Sequence, residues 1–335
     1  METTLKASAP TTGEAAVQTD VTSTPEKSIP DTLIKQIKDG LLTPEEAIEN
    51  AFPSPFVHVK EISVDQLSVD PLPTGFSALD QHLFLKKDRA ELVVVGAGTS
   101  HGKSAFMLQV AANVAKKGRV FVFSLEMDER DIKARLLAPR INVPLQKIMA
   151  GGVPSNKLKQ ANDLFTEMQL YLCTNGKRDI NHIRQTALDA AKQIGAPDLV
   201  VLDYLQLLRG PNKNTRTAEI ADILGAVKEL AKALHCPIMI GSQLNRECER
   251  RGRKIQIDKG IGDYRPMNAD LMDSGSIEHD ADVILFISRQ FQYDRTRLGE
   301  ADIVMTKNRG GKVFDAVFEF TGELCAFYES RQVNI

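Results

Sequence analysis

The sequence predicts an α/β fold, with a mainly parallel, twisted sheet that carries helices on both faces. Two observations predict it: short apolar runs rich in β-branched residues recur along the chain, and helical stretches separate the first four of them. Strands that alternate with helices favour parallel pairing, because each helix carries the chain back across a face of the sheet. The predicted strands are Leu92–Val95, Val120–Ser124, Leu199–Leu202, Ile238–Ile240, Val283–Ile287 and Ile303–Thr306, and examples of the helices are Ser104–Lys117 and Ala218–Leu234.

The C-terminal part of the chain departs from this alternation. Ala316–Phe320 and Leu324–Tyr328 are two strand-like runs on either side of Thr321-Gly322. Two such runs joined by a glycine-containing turn predict a C-terminal hairpin.

Composition divides the N-terminal part into segments. Residues 1–30 are rich in Thr, Ser, Ala and Pro, so they bury too little apolar surface to offset the entropy of ordering, and a disordered tail is predicted. A short helical segment is predicted over residues 31–52, because Leu33, Ile34, Ile37 and Leu41 recur at helical spacing. A proline-punctuated linker over 53–70 then leads into the main domain over 71–335.

Composition and charge also limit the class of protein. The chain has 335 residues, of which 42% are hydrophobic and 26% charged, and its formal net charge of −2 argues against coating nucleic acid by bulk electrostatics but leaves room for a local basic groove. Its four cysteines form no CxxC pair, so neither a disulfide framework nor a zinc site is predicted. The apolar runs are too short to span a membrane and no signal peptide is recognised, so we expect a cytoplasmic protein without a membrane partner.

A glycine-rich loop lies between the first predicted strand and the next helix. Backbone N–H groups of such a loop join the helix N-terminus to bind phosphates; Lys103 is expected to reach the β- and γ-phosphates of ATP, and Ser104 to place its hydroxyl on Mg²⁺. Ala97 stands where the strict motif has glycine, and a glycine-rich turn with a lysine also occurs by chance, but the strand–loop–helix context favours a nucleotide site. At His101 the backbone is expected to matter more than the ring. The predicted site residues are Ala97, Gly98, Thr99, Ser100, His101, Gly102, Lys103 and Ser104.

Polar side chains follow three other predicted strands. Asp203 can hold the magnesium shell through water or, as an alternative, simply cap its strand; Glu126 can polarise a water for attack on the γ-phosphate; and Gln243 can hydrogen-bond that phosphate. Because open sheets bind ligands at the carboxyl ends of their strands, we expect these three residues to meet the phosphate loop.

At this point the chain resembles the DnaB-type replicative DNA helicase family, over roughly residues 70–330. Two blocks are distinctive, FSLEM and DYLQL, and they stand in the family's order with the others. The matching blocks are Pro73–Phe76, Leu79-Asp80, the phosphate loop, Phe123–Met127, Asp203–Leu207, Ser242–Arg246, Ser274–Glu278, Asp280–Asp282 and Lys307–Gly310. The resemblance implies a RecA-like motor domain with Glu126 as catalytic base, Asp203 as metal partner and Gln243 as γ-phosphate sensor.

The resemblance also implies an oligomer. In the family, the residues matching Lys307 and Arg309 project into the neighbouring subunit's site, and the subunits form hexameric rings around single-stranded DNA. From the residues alone, an exposed basic turn is the favoured interpretation of Lys307 and Arg309, although two cations at i and i+2 of a strand face one way.

The chain departs from the family in its N-terminal part and in its DNA contacts. About 70 residues precede the main domain, too few for the family's large N-terminal domain, and the 31–52 segment is expected to be a helix that docks on an adjacent motor domain. Met272-Asp273 replaces the usual Arg-Glu, so backbone contacts to DNA are expected from the loop at Asp273, Ser274 and Gly275. A basic run then either supplies phosphate contacts or forms a solvated face; it includes Arg250, Arg251, Arg253 and Lys254.

These observations predict a homohexameric ATPase that uses ATP and Mg²⁺ to translocate on single-stranded DNA and unwind duplex during replication, in contact with a helicase loader or a primase. One alternative is a DnaB-like, DNA-dependent ATPase that loads or remodels proteins on DNA without unwinding. Another is an assembly protein in which ATP only sets the oligomeric state, but the presence of Glu126 argues against it.

Overall fold

The computed structural model describes residues 31–39, 41, 43, 71–83, 85–174, 176–211, 215–245, 248, 265–290 and 297–329. The chain divides into two units, Met1–Leu67 and Ser68–Ile335. In the first unit, helix α1 covers Asp31–Lys38, inside the segment predicted to be helical. The predicted tail, the predicted linker and residues 44–52 lie outside the described residues, so the domain boundaries stay predictions.

The second unit alternates helices and strands. Its helices are α2 (Ser77–Asp80), α3 (Lys103–Val114), α4 (Glu129–Ile141), α5 (Leu145–Met149), α6 (Ser155–Thr166), α7 (Ile180–Ile194), α8 (Arg216–Leu234) and α9 (Ser274–Asp280), with 3-10 turns at Leu205–Leu207 and Asn268–Asp270. Its strands are β1 (Leu92–Ala97), β2 (Val120–Ser124), β3 (Leu170–Cys173), β4 (Leu199–Asp203), β5 (Ile238–Gln243), β6 (Val283–Ser288), β7 (Glu300–Asn308), β8 (Phe314–Thr321) and β9 (Ala326–Glu329). Over the described ranges, no helix is both long and apolar enough to cross a membrane.

The strands form a sheet in the order β3-β2-β4-β5-β1-β6-β7-β8-β9. Neighbours among the first six strands pair in parallel, whereas β6–β7, β7–β8 and β8–β9 pair antiparallel. The predicted mainly parallel α/β sheet with a C-terminal hairpin is therefore confirmed. Two edges of the sheet matter below: the carboxyl edge, where β1, β2, β4 and β5 end, and the amino edge, where these strands begin.

Strand β1 shows why helices cover both faces of the sheet. All of its residues are buried. Val93 packs in the apolar cluster that contains Phe106 of α3, whereas Val94 packs in a second cluster with Val227 of α8. Successive side chains of a strand point to opposite faces, so an entirely apolar strand needs helices on both sides.

The structure adds a strand and moves a turn relative to the sequence prediction. Strand β3 at the edge of the sheet was not predicted; it has only four residues, and none of their side chains is fully buried. Leu324 was predicted to lie in the last strand, and this is wrong. Because β8 runs to Thr321 and pairs it with Ala326, the four residues between them form the turn, in which Leu324 N donates a hydrogen bond to Thr321 O.

Candidate active site

The loop between β1 and α3 lines a cavity at the carboxyl edge. The cavity has a volume of about 480 Å³, within the usual range of small-molecule sites. Gly102 precedes α3 with a φ of +95°, and a Cβ there would lie 2.8 Å from the Phe327 ring. Any other residue would be both strained and crowded, so this glycine lets the loop close onto the helix N-terminus, where backbone N–H groups can receive phosphates. Except for His101, the predicted loop residues line this cavity: Ala97, Gly98, Thr99, Ser100, Gly102, Lys103 and Ser104.

The His101 ring contacts the loop, in addition to the backbone role expected for this residue from the sequence. The residue is buried, and Arg289 N donates a hydrogen bond to its Nδ1 at 3.3 Å. A Cβ on Gly98 would lie 3.2 Å from the ring, so the loop backbone rests directly on the imidazole. The ring therefore packs between the loop backbone and the segment that follows β6.

Arg289 and Phe320 are cavity residues that the sequence analysis did not identify. Arg289 directly follows β6, its Nη1 donates to Ser100 O at 3.3 Å, and its guanidinium carbon lies 4.3 Å from the centroid of the Phe320 ring. Polar residues at the ends of β2, β4 and β5 meet at one edge, and the same rule extends to β6. Applied to that strand, the rule identifies Arg289.

Lys103, which is partly buried, and the buried Asp203 form a charged pair at the base of the cavity. The Lys103 Nζ lies 3.5 Å from Asp203 Oδ1, an ion pair longer than a well-formed hydrogen bond, and 3.7 Å from the centre of the Tyr204 ring. Burial lowers the pKa of Lys103, while the carboxylates of Asp203 and Glu126 act in the opposite direction. The lysine is thus held near acids in a low-dielectric place, where a phosphate would stabilise its charge.

Asp203 ends β4 behind Lys103: its carboxylate contacts the Lys103 ammonium, but the residue does not itself line the cavity. The residue is 3% exposed, and among the residues that the structure describes no group donates a hydrogen bond to either carboxylate oxygen. A buried carboxylate whose oxygens lack donors is unfavourable unless another group supplies them. A hydrated Mg²⁺ is such a group, and the hydroxyl-bearing Ser104 lines the cavity, so these residues fit the metal predicted from the sequence.

Glu126 and Gln243 reach the same cavity from β2 and β5. Glu126 lies in a turn that Ser124 closes: Met127 N donates to Ser124 Oγ at 3.1 Å, and this hydroxyl donates to Met127 O at 2.9 Å. Gln243 Nε2 donates to Thr99 Oγ1 at 2.9 Å, so it touches the phosphate loop. The structure therefore brings together the loop, Asp203, Glu126 and Gln243, as their positions at strand ends predict.

Gln243 also contacts the segment that leads to the predicted DNA loop. Its carbonyl accepts a hydrogen bond from Met272 N at 3.3 Å. Asp273 follows with a φ of +61°, and Ser274 and Gly275 begin α9. Thr217 Oγ1 donates to Asp273 Oδ1 at 3.4 Å. The predicted basic residues lie outside the described residues; they are Arg250, Arg251, Arg253 and Lys254.

Lys307 and Arg309 lie at the amino edge, away from the phosphate loop of their own chain. Strand β7 is antiparallel to β6, so Asn308 pairs with Val283, which in turn pairs with Val93 near the start of β1. Lys307 Nζ donates to the Glu278 carbonyl, and Arg309 Nη1 lies 2.7 Å from Asp282 Oδ1. The two cations do face one way, as their spacing predicts, but towards the end of α9.

Comparisons with known proteins agree with this arrangement. Residues 71–329 match the family model of the DnaB-like helicase C terminal domain. A probable plasmid replicative DNA helicase of Chlamydia psittaci is 34% identical over 259 residues, which are 75% of this chain and 54% of that protein. The replicative DNA helicase DnaB of Haemophilus influenzae is 34% identical over 269 residues, 77% of this chain and 55% of that protein. The chain thus spans about half the length of the curated relatives it matches.

Solved structures give the same result for the fold. The ATPase domain of G40P superposes with a TM-score of 0.70 and 28% identity, covering 88% of this chain and 99% of that one. A DnaB-like replicative helicase, described with its interactions with primase, superposes with a TM-score of 0.70 and 25% identity, covering 90% of this chain and 74% of that one. The fold is therefore that of RecA-like helicase ATPase domains, and the chain belongs to the DnaB-like helicase C-terminal domain family.

Proposed function

We propose that this chain is the ATP-hydrolysing motor of a replicative DNA helicase, which assembles as a homohexameric ring, translocates on single-stranded DNA and unwinds duplex. The observation that carries the proposal is the separation of two sets of residues. The groups suited to bind and activate a nucleotide gather at the carboxyl edge, whereas Lys307 and Arg309 lie at the amino edge of the same sheet. A complete site then needs two subunits.

The ATP site consists of the phosphate loop and its neighbours. Lys103 binds the β- and γ-phosphates, which replace part of the solvation that its burial removes. Ser104 and Asp203 would hold Mg²⁺: the buried Asp203 oxygens lie near the Lys103 ammonium but receive no hydrogen bond from the described residues, so a hydrated cation could supply donors to them. When bound, the metal offsets the negative charge that develops on the phosphate oxygens.

Hydrolysis depends on two residues that act on the attacking water and on the γ-phosphate. Glu126, which lies in the turn after β2, accepts a proton from the attacking water. Gln243, which contacts Thr99, forms a hydrogen bond with the γ-phosphate and so responds to its presence. Because Gln243 O also receives a hydrogen bond from Met272 N, a change at the γ-phosphate can reach the DNA loop at Asp273, Ser274 and Gly275. This path supplies a physical link between turnover and movement on DNA.

A ring of subunits around single-stranded DNA implies contacts with the adjacent subunit, with the DNA and with a further protein. Arg309, together with Lys307, stabilises the transferring phosphoryl group in the adjacent subunit. The basic run at Arg250, Arg251, Arg253 and Lys254 neutralises phosphates of the strand in the ring. A helicase loader or a primase is the protein partner that we propose for such a motor, and the cytoplasm is the compartment.

Strand displacement on a forked duplex, measured with ATP and Mg²⁺, tests the proposal. Wild-type protein should separate the strands, and Glu126→Gln should not, although it should still bind nucleotide. ATPase activity stimulated by single-stranded DNA without strand separation would contradict the unwinding role and favour a motor that loads or remodels proteins. ATPase activity that single-stranded DNA does not stimulate would contradict both the unwinding motor and the loading or remodelling motor.

A further inference from the structure

Asp282 connects the start of β1 to the cations of the amino edge. Its Oδ2 accepts a hydrogen bond from Leu92 N at 2.9 Å, and its own backbone N donates to Leu92 O at 2.9 Å. Its Oδ1 accepts from Arg309 Nη1 at 2.7 Å. The two oxygens serve different partners, so the sheet holds the carboxylate in place where it meets the guanidinium.

Arg309 is held at three points by its own chain. Beside the bond to the Asp282 carboxylate, Nη2 donates to His279 O at 2.9 Å, and the backbone N donates to Asp282 O at 2.9 Å. A guanidinium is planar, so bonds to two of its nitrogens fix its orientation. The Arg309 side chain is nevertheless 49% exposed, which leaves part of it accessible to a neighbouring molecule.

The Asp282 carboxylate also lies close to a second cation, Lys228, and so offsets the repulsion between positive charges. Lys228 Nζ lies 3.6 Å from the same Oδ1 and donates to Asp280 O at 2.7 Å. Arg309 and Lys228 act with burial to lower the pKa of Lys307, whereas Asp282 and Glu278 act to raise it. Without the Asp282 carboxylate, three cations would share this place with less compensation, and Arg309 would turn away from its present orientation.

We propose that Asp282 is the positioning residue for Arg309: it holds the guanidinium so that its exposed part meets the nucleotide of the neighbouring subunit. The proposal rests on the trans role of Arg309 and adds to it a residue that touches no nucleotide. Each subunit binds ATP through its own phosphate loop, so loss of Asp282 should affect turnover and leave nucleotide affinity nearly unchanged.

The first test is Asp282→Asn. An asparagine that keeps its oxygen towards Leu92 N turns an NH₂ group towards Arg309, where two donors then oppose each other. Misplacing a catalytic group in this way lowers kcat by about tenfold to a hundredfold. The matched control is Asp198→Asn, which removes another carboxylate of the amino edge that accepts a backbone hydrogen bond, from Arg119 N at 2.6 Å, and pairs with a cation, Lys87 at 3.2 Å, and which should leave kcat unchanged.

A double-mutant cycle separates positioning from a general loss of structure. If Asp282 acts through Arg309, Asp282→Asn should cause no further loss of kcat in an Arg309→Ala background. Thermal unfolding and nucleotide affinity should be followed for every variant. If Asp282→Asn does not fold, Asp282→Glu moves the carboxylate by one methylene and should show the same non-additive loss.

Two results would overturn the positioning role: an equal loss of kcat in both backgrounds, or a kcat that rises in Asp282→Asn because the ion pair restrains the arginine. Wild-type turnover in Arg309→Ala alone would instead overturn the trans function on which the proposal rests. The two failures are therefore distinguishable in one experiment.

Discussion

The two edges of one sheet use charge in opposite ways. At the carboxyl edge, the partly buried Lys103 lies 3.5 Å from the buried Asp203, and the aspartate oxygens receive no hydrogen bond from the described residues. At the amino edge, Arg309 and Asp282 pair at 2.7 Å while half of the arginine side chain stays exposed. The difference teaches that the first edge is organised to take a ligand into the protein, and the second to present an oriented cation outwards.

The largest expected effects belong to the carboxyl edge. Glu126→Gln should lower turnover by roughly a thousandfold or more while keeping nucleotide binding, because the carboxylate acts only on the attacking water. Lys103→Ala should weaken nucleotide binding by about a hundredfold, because Lys103 contacts phosphates already in the ground state. Nucleotide titration and phosphate release, measured on both variants, distinguish the two roles. Near wild-type turnover in Glu126→Gln would remove Glu126 from the chemistry.

Arg309→Ala examines the amino edge. We expect turnover to fall by roughly a thousandfold, as for arginine fingers, while each subunit still binds ATP through its own loop. Mixing Arg309→Ala with Glu126→Gln subunits should restore partial ATPase activity, since some interfaces then pair an intact Glu126 with an intact Arg309. A diluted monomer that hydrolyses ATP as fast per subunit as the assembly would contradict catalysis between subunits.

A smaller effect concerns the basic run that follows β5. Replacing Arg250, Arg251, Arg253 and Lys254 by glutamine should make the binding of single-stranded DNA less dependent on salt, by up to about 2.8 in the slope of log K against log salt. Neutralising Lys147 and Lys159, exposed cations elsewhere on the domain, is the control and should leave the slope unchanged. An equal slope in the fourfold variant would make the run a solvated face.

The smallest effect is a difference between two thiols. Cys325 lines the cavity of the phosphate loop, and burial raises the pKa of its thiol while Arg135 acts to lower it, so slow alkylation is expected and ATP should slow it further. Cys236 is fully buried where β5 begins, and burial raises the pKa of its thiol to about 12, so it should stay unmodified at pH 8 with or without ATP. Mass spectrometry of alkylated peptides measures both. A change in Cys236 alkylation on adding ATP, or an unchanged rate at Cys325, would contradict the location of the ligand.

Much of the carboxyl edge could be predicted from the sequence, because parallel strands bring their ends together whatever lies between them. Asp203, Glu126 and Gln243 each follow an apolar run, and the phosphate loop follows another. The roles of the His101 ring and Phe320 could not be predicted in this way. Phe320 reaches the cavity from the C-terminal hairpin, and the His101 ring lies between Gly98 and Arg289 N; periodicity specifies neither approach.

The amino edge was harder to predict for a related reason. The contact between Arg309 and Asp282 depends on the register of β6 and β7, which shifts between Ile284 and Leu285. A shift of this kind changes which residues face each other without leaving a signal in the apolar pattern. Strand β3 was missed because an exposed edge strand of four residues lacks the fully apolar run of the central strands.

The antiparallel return of β7 also has a consequence for symmetry. If Arg309 acts on the neighbouring subunit as proposed, a subunit with its nucleotide site at one edge and this cation at the other joins its copies head to tail, as a heterologous contact. At one end of an open row of such subunits, a nucleotide site lacks the cation of a neighbour. At the other end, the cation has no nucleotide site to meet. In a closed ring every nucleotide site meets the cation of a neighbour. Ring closure would therefore add one competent site, and the turnover per subunit would distinguish a closed ring from an open row.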